Sequence, residues 1–181
     1  MSDADELGHT KSAGSELCLS CGLCCKGLLF NRAGLLPEEA AKAEELGLHC
    51  FPSGDGKFAF RLPCPWFQNE RCSIYSARFD ACQRYRCDLL KRLANGDLSV
   101  SEGKRIINKI KNDMSSISLK MESVVQTNSG SELPLDFRQR IVKTLDFLCR
   151  NPMICKDAGT FLREVESFLI LLHDCIEKRA N

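Results

Sequence analysis

Hydrophobic positions recur with a helical period mainly in the second half of the chain. Ile107, Ile110, Met114, Ile117, Met121 and Val124 follow one another at intervals of three and four, the apolar stripe of one long helix. Ser99, with Glu102 three residues on, is the capping box that would start it. Phe137, Ile141, Leu145 and Leu148 make a second stripe, entered at Pro134 and broken at Asn151-Pro152. A third, Phe161, Val165, Phe168, Leu172 and Ile176, predicts a helix from about Ala158 to Lys178. A polar loop, Thr127 to Glu132, separates the first two. From residue 98 onward the pattern therefore predicts a bundle of about three long helices.

Before residue 98 the periods are short and mixed. Residues 1–16 are polar, with Gly8, Ser12, Gly14 and Ser15, and predict a flexible tail. Leu36 to Gly47 reads as a short helix: Pro37 suits the first position, Glu38 and Glu39 complement the dipole, and Gly47 suits the stop. Phe58, Phe60 and Leu62 alternate as in a half-buried strand, next to turn residues that predict a hairpin at Asp55-Gly56. Leu89, Leu90 and Leu93 predict a helix beginning near Cys87 and stopped by Asn95-Gly96. The expected fold is α+β and mainly α: a tail over 1–16, a cysteine-rich unit over 17–97 and a helical region over 98–181 packed on it.

The chemistry lies in the cysteines, twelve in 181 residues. Cys18, Cys21, Cys24 and Cys25 fall within eight residues, and Cys64, Cys72, Cys82 and Cys87 follow. Spacings of two residues let a turning backbone aim thiolates at one point, and Gly22 supplies the conformational freedom such a turn needs. Adjacent Cys24 and Cys25 are different, because neighbouring side chains diverge. Either they serve different centres or one is a packing thiol. Cys149, Cys155, Cys175 and His173 stand isolated on apolar helix faces and are expected to pack in the core. Cys50, beside His49, is read as a small buried hydrophobe.

Compartment and charge narrow the picture. The acidic start Met1-Ser2-Asp3-Ala4-Asp5-Glu6 does not resemble a secretory signal. The longest apolar run, Phe168 to Leu172, is far short of the roughly 20 residues that span a bilayer. A cytoplasmic protein without a membrane segment is expected, where clustered thiols bind metal rather than form a disulfide framework. Net charge is +1, but residues 61–111 carry eleven Lys or Arg against five Asp or Glu. That excess is read as a solvated face offsetting a thiolate site, with nucleic-acid binding the lesser alternative.

The spacings suit two chemistries. A closed zinc site wants two CxxC-like pairs, which Cys18-Cys21 and Cys82-Cys87 could supply. An iron–sulfur site of ferredoxin type wants C-x2-C-x2-C plus a distant cysteine before proline, which Cys18, Cys21, Cys24 and Cys64-Pro65 imitate. Iron–sulfur is preferred. Eight thiols exceed the needs of one mononuclear site, so two centres, or one centre with spare thiols, are both open.

Taken together, Cys18, Cys21, Cys24, Cys25, Cys64-Pro65, Cys72-Ser73-Ile74-Tyr75, Arg78, Cys82 and Cys87 resemble the CxxCxxCC, or YkgJ-like, family of zinc- or iron-chelating domains, over roughly residues 17–90. Phe79 stands where that family usually has proline. The resemblance implies metal chelation by the cysteines. Through relatives similar to flagellin lysine N-methylases, it also implies a metal-dependent modification enzyme with a protein substrate as one alternative. A metal-stabilised interaction module for a protein or nucleic-acid partner is the other. Tyr75, Asp80, Tyr85 and Asp88 are the proton-transfer candidates an enzyme would need, although each also reads as a packing or ion-pairing residue. No P-loop, Gly-rich nucleotide loop or Ser-His-Asp order appears.

Overall fold

The computed structural model describes residues 4–125, 136–151 and 158–177. The chain begins with helix α1, Ala4–Cys21, followed by strand β1, Arg32–Leu35, and helix α2, Ala40–Glu45. Strands β2, Cys50–Gly54, and β3, Lys57–Arg61, come next, then the two-residue strands β4, Phe67–Gln68, and β5, Arg71–Cys72. Helices α3, Asp80–Arg84, and α4, Asp88–Ala94, lead into the long helices α5, Val100–Val125, α6, Phe137–Arg150, and α7, Ala158–Leu172. A wider π-type turn over His173–Glu177 extends α7. The fold is α+β and mainly α, with small antiparallel sheets in the cysteine-rich half and a helical bundle after it.

The predicted hairpin forms. β2 and β3 pair antiparallel across Asp55-Gly56, with Cys50 opposite Phe60. β1 adds to the other edge of β3, giving the order β1-β3-β2. The short helix after Leu36 begins as a 3-10 turn over Pro37–Glu39, with the Glu39 carboxylate accepting from the Leu36 amide at 3.0 Å. Ser99 and Glu102 exchange the expected capping bonds, the Glu102 amide donating to Ser99 Oγ and the Ser99 amide to Glu102 Oε2. Asn95-Gly96 closes α4 as expected.

Two apolar clusters organise the packing. The larger joins Ile107, Ile110, Ile117 and Met121 of α5 to Phe137, Ile141 and Leu148 of α6 and to Phe161, Val165, Phe168 and Leu172 of α7. Leu17, Leu23, Leu28 and Leu89 from the cysteine-rich half belong to it too, so the two halves share a core. Gly103 allows that close approach: a Cβ there would press on the Leu17 side chain at 2.9 Å. The smaller cluster is Leu35, Ala43, Leu48, Phe60 and Phe79, beneath the sheet.

Three expectations are corrected. The stretch expected as a tail is helical from Ala4. Its pattern carried no period because α1 buries Leu17 near its end, where Glu16 pairs with Lys104. Cys149 and His173 are exposed rather than packed in the core, because each stands off the buried stripe of its helix. Strands β1, β4 and β5 had no alternating signature and were not anticipated. Pro134, Thr127 to Glu132, Pro152, Cys155 and Lys178 lie outside the described residues.

Candidate metal centre

The first cysteine block is built on the end of α1. Cys18 and Cys21, three residues apart, share one face of that helix. Gly22 ends it at φ 69°, and any Cβ there would fall inside the Phe67 ring. The chain then turns tightly, with Lys26 N donating to Gly22 O at 2.9 Å and Leu28 N to Leu23 O at 3.0 Å. Leu23 and Leu28 are fully buried, so Cys24 and Cys25 are held in a turn anchored at both ends.

The second block is laced to the first through the backbone. Cys64 N donates to Cys25 O at 2.7 Å, and Phe67 N to Cys64 O at 3.0 Å. Phe67 pairs with Cys72 across β4 and β5. The two-residue turn between those strands places Asn69 at φ 49° and Glu70 at φ 59°, as a type I′ hairpin requires. Glu70 is fixed there by Lys26 at 2.5 Å and Lys111 at 2.6 Å, and Lys111 also donates to Ser20 O at 2.9 Å. These contacts tie both cysteine blocks to α5. Cys82 lies in α3, and Cys87 is the residue that caps α4.

All eight predicted thiols line one cavity of about 290 Å³. Its wall is otherwise apolar, with Phe60, Phe67 and Phe79 among its members, together with Tyr75, Tyr85, Arg32 and Arg78. No His, Asp or Glu among the described residues lines it. Cys50 lies away from it and packs half-buried against the smaller cluster, while His49 is exposed. Among the described residues no three Cys, His, Asp or Glu side chains are already drawn together as a closed metal shell; the thiols form the cavity's wall instead.

Burial sets the electrostatics of this wall. It pushes the Cys21 thiol up to about 12, Cys25 up to about 12 and Cys82 up to about 11, and raises Cys24, Cys64 and Cys87 in the same direction. Repulsion from neighbouring thiolates adds to the rise in each case. So many buried thiolates cannot share one cavity without a compensating cation. A soft, all-sulfur donor set suits zinc or iron–sulfur, the groups that thiolates select.

Of the proton-transfer candidates, Tyr75 and Tyr85 reach the cavity, but both are committed to packing. The Tyr75 hydroxyl donates to Ser15 O at 3.4 Å, and its ring lies 3.6 Å from the Arg78 guanidinium. Tyr85 meets Phe30 edge-on at 4.9 Å. Asp80 pairs with Arg84 at 3.4 Å, and neither Asp80 nor Asp88 lines the cavity. The Arg78 Nη1 approaches Cys18 Sγ at 3.9 Å, a positive charge against the thiol wall. Phe67, filling the space beside Gly22, and Lys111 are two contributors the motif did not flag. The excess of Lys and Arg over residues 61–111 is the trace that Lys111 leaves in the sequence. Several of those cations are internally paired, including Lys109 with Asp113 at 2.9 Å.

Phe79, where the family has proline, keeps the turn: its φ of −63° is the value a proline ring would impose, and its side chain is buried against Phe60. No helix among the described residues is long and apolar enough to cross a membrane. No curated protein and no solved structure matches the chain. A family model does match, over residues 17–111, its description being "Putative zinc- or iron-chelating domain". That span takes in both cysteine blocks and the start of α5 as far as Lys111, the residue that ties them together. On this match and this cavity, the chain belongs to the CxxCxxCC family of zinc- or iron-chelating domains.

Proposed function

We propose that the eight thiolates hold iron in iron–sulfur form, and that the protein serves as a carrier of that centre rather than as an acid–base enzyme. The observation that carries this reading is the convergence of the eight cysteines on one apolar cavity that, among the described residues, no His or carboxylate lines. A thiolate-held cluster supplies one-electron transfer.

The residues of the chain set the conditions for it. Phe60, Phe67 and Phe79 limit water at the sulfurs, which tunes potential and protects the thiolates. Arg78 offsets negative charge at Cys18. Lys26 and Lys111 hold the β4–β5 turn that carries Cys72. A methyl-transfer enzyme would need a proton acceptor at the cavity. Among the described residues, the two tyrosines are the only such candidates there apart from the thiols themselves, which disfavours that alternative.

Exposed Leu162, Leu169 and Ile170 on α7 favour a second reading, a zinc-stabilised module that docks a protein partner. Anaerobic purification with visible absorption and assay of iron, zinc and labile sulfide separates the two. Brown protein with matched iron and sulfide is expected; colourless protein with stoichiometric zinc would replace the first reading by the second.

A further inference from the structure

The cavity wall is not uniform: Cys21 and Cys87 pack on the larger apolar cluster, while Cys64 packs on the smaller. Cys18 and Cys21 share a face of α1, and Cys21 and Cys87 pack against the larger cluster beside Leu17 and Leu89. Cys87 reaches them because it caps α4, which lies against α1. Cys24 follows in the turn. Burial raises its thiol most, followed by the charges of Cys21 and Cys87, then those of Cys25 and Cys18.

Cys25 belongs to the other side. Its carbonyl accepts from the Cys64 amide at 2.7 Å, and Cys64 packs against the smaller cluster. From Cys64 the hydrogen bond to Phe67 and the pairing of Phe67 with Cys72 bring the third thiol round. Cys82 follows Phe79 of that same cluster, its amide donating to Phe79 O at 2.9 Å. Cys64, Cys72 and Cys82 are the thiols that weigh on Cys25, all of them ahead of Cys18. Burial raises Cys82 most, and Cys64 and Cys72 are the thiols that add to it.

We infer that the protein holds two separate four-thiolate metal centres, one on Cys18, Cys21, Cys24 and Cys87 and the other on Cys25, Cys64, Cys72 and Cys82, joined through the Cys24–Cys25 peptide bond. This rests on the reading that the thiols chelate metal, and goes beyond it in number and assignment. Four soft donors complete either a tetrahedral zinc site or an iron–sulfur cluster, so the partition holds for both metals. It also accounts for the adjacent cysteines: residues that cannot face one point serve two.

Native mass spectrometry and metal analysis of the anaerobically purified full chain test it. Two centres per chain are expected in the unaltered protein. Cys87→Ser and Cys72→Ser should each halve the metal content, and together abolish it. Cys21→Ser combined with Cys87→Ser should lose no more than Cys87→Ser alone. A single centre in the unaltered chain overturns the partition while leaving chelation standing, and that count does not depend on whether any variant folds. Loss of all metal from folded Cys87→Ser and from folded Cys72→Ser alike would also overturn it. A chain that binds no metal overturns the chelation reading itself.

Discussion

The two halves of this molecule are held by different means. Helices α5, α6 and α7 are 26, 14 and 15 residues long and bury continuous stripes, so they can stabilise one another by apolar packing. Around the thiols the elements are short: strands of two to five residues and, after α1, helices of five to seven. Only five buried residues form the cluster under the sheet. Such elements cannot offset their own ordering entropy by burial alone. The comparison predicts where metal is needed: the helical half should hold without it, while the cysteine-rich half has a wall of half-buried thiols in place of a larger core.

Breaking the helical side should give the largest mutational effect. Phe168 is 1% exposed and packs edge-on against Phe137 at 5.5 Å. Phe168→Ala is expected to cost about 3–5 kcal/mol, read as a fall in denaturation midpoint. The folded fraction should keep the metal content of the unaltered protein. Metal loss in step with stability would mean that the halves do not differ as described.

Gly22→Ala attacks the other side. Its left-handed backbone costs an alanine about 1–2 kcal/mol, and the Phe67 ring occupies the space the Cβ needs. Metal content should fall while helical circular dichroism is largely kept. Adding Phe67→Ala should relieve the clash but not the backbone strain, so recovery should be partial. Full recovery would show that the φ of Gly22 is unimportant to the site.

A smaller effect is expected at the entrance to α5. Ser99→Ala removes the capping hydroxyl bonded to the Glu102 amide and should cost about 1 kcal/mol, without change in metal content. Chemical denaturation with metal analysis checks both halves of that statement. The smallest effect is a pH dependence. Hydrogen bonds from Ser99 hold the Glu102 carboxyl below its ordinary value of 4.5. A depressed carboxyl contributes stability that is present above the unfolded value and lost as pH falls through the lower folded one. The stability gap between the parent and Glu102→Gln should therefore narrow below about pH 4.5; a gap that widens there would contradict the capping assignment.

Much of this division is legible in the sequence because period is a local property. Ile107 to Met121 and Phe161 to Leu172 announce their helices in any window that contains them. The eight cysteines of the cavity are likewise singled out by spacing alone, and the two-residue turn at Asp55-Gly56 by its composition. What spacing does not carry is which thiols share a neighbourhood. Cys64-Pro65 looks like the companion of Cys18, Cys21 and Cys24, yet it is Cys87 that packs on the same cluster as Cys21, because α4 lies against α1. The turn at Asn69-Glu70 was equally hidden. Two non-glycine residues with positive φ are held there by Lys26 and Lys111, and Lys111 lies 41 residues away in sequence. Arg32 to Leu35 becomes a strand only because the hairpin offers β3 an open edge.

The most direct test of the account is hydrogen exchange before and after complete removal of metal, with the removal verified by elemental analysis. Amides in residues 17–97 should lose protection, because a thiolate site is rarely stable when empty. Amides of α6 and α7 should keep most of theirs. Unchanged protection around Cys25, Cys64 and Cys72 in the metal-free protein would contradict the account, for it would mean that the eight thiols do not hold that half together through a metal.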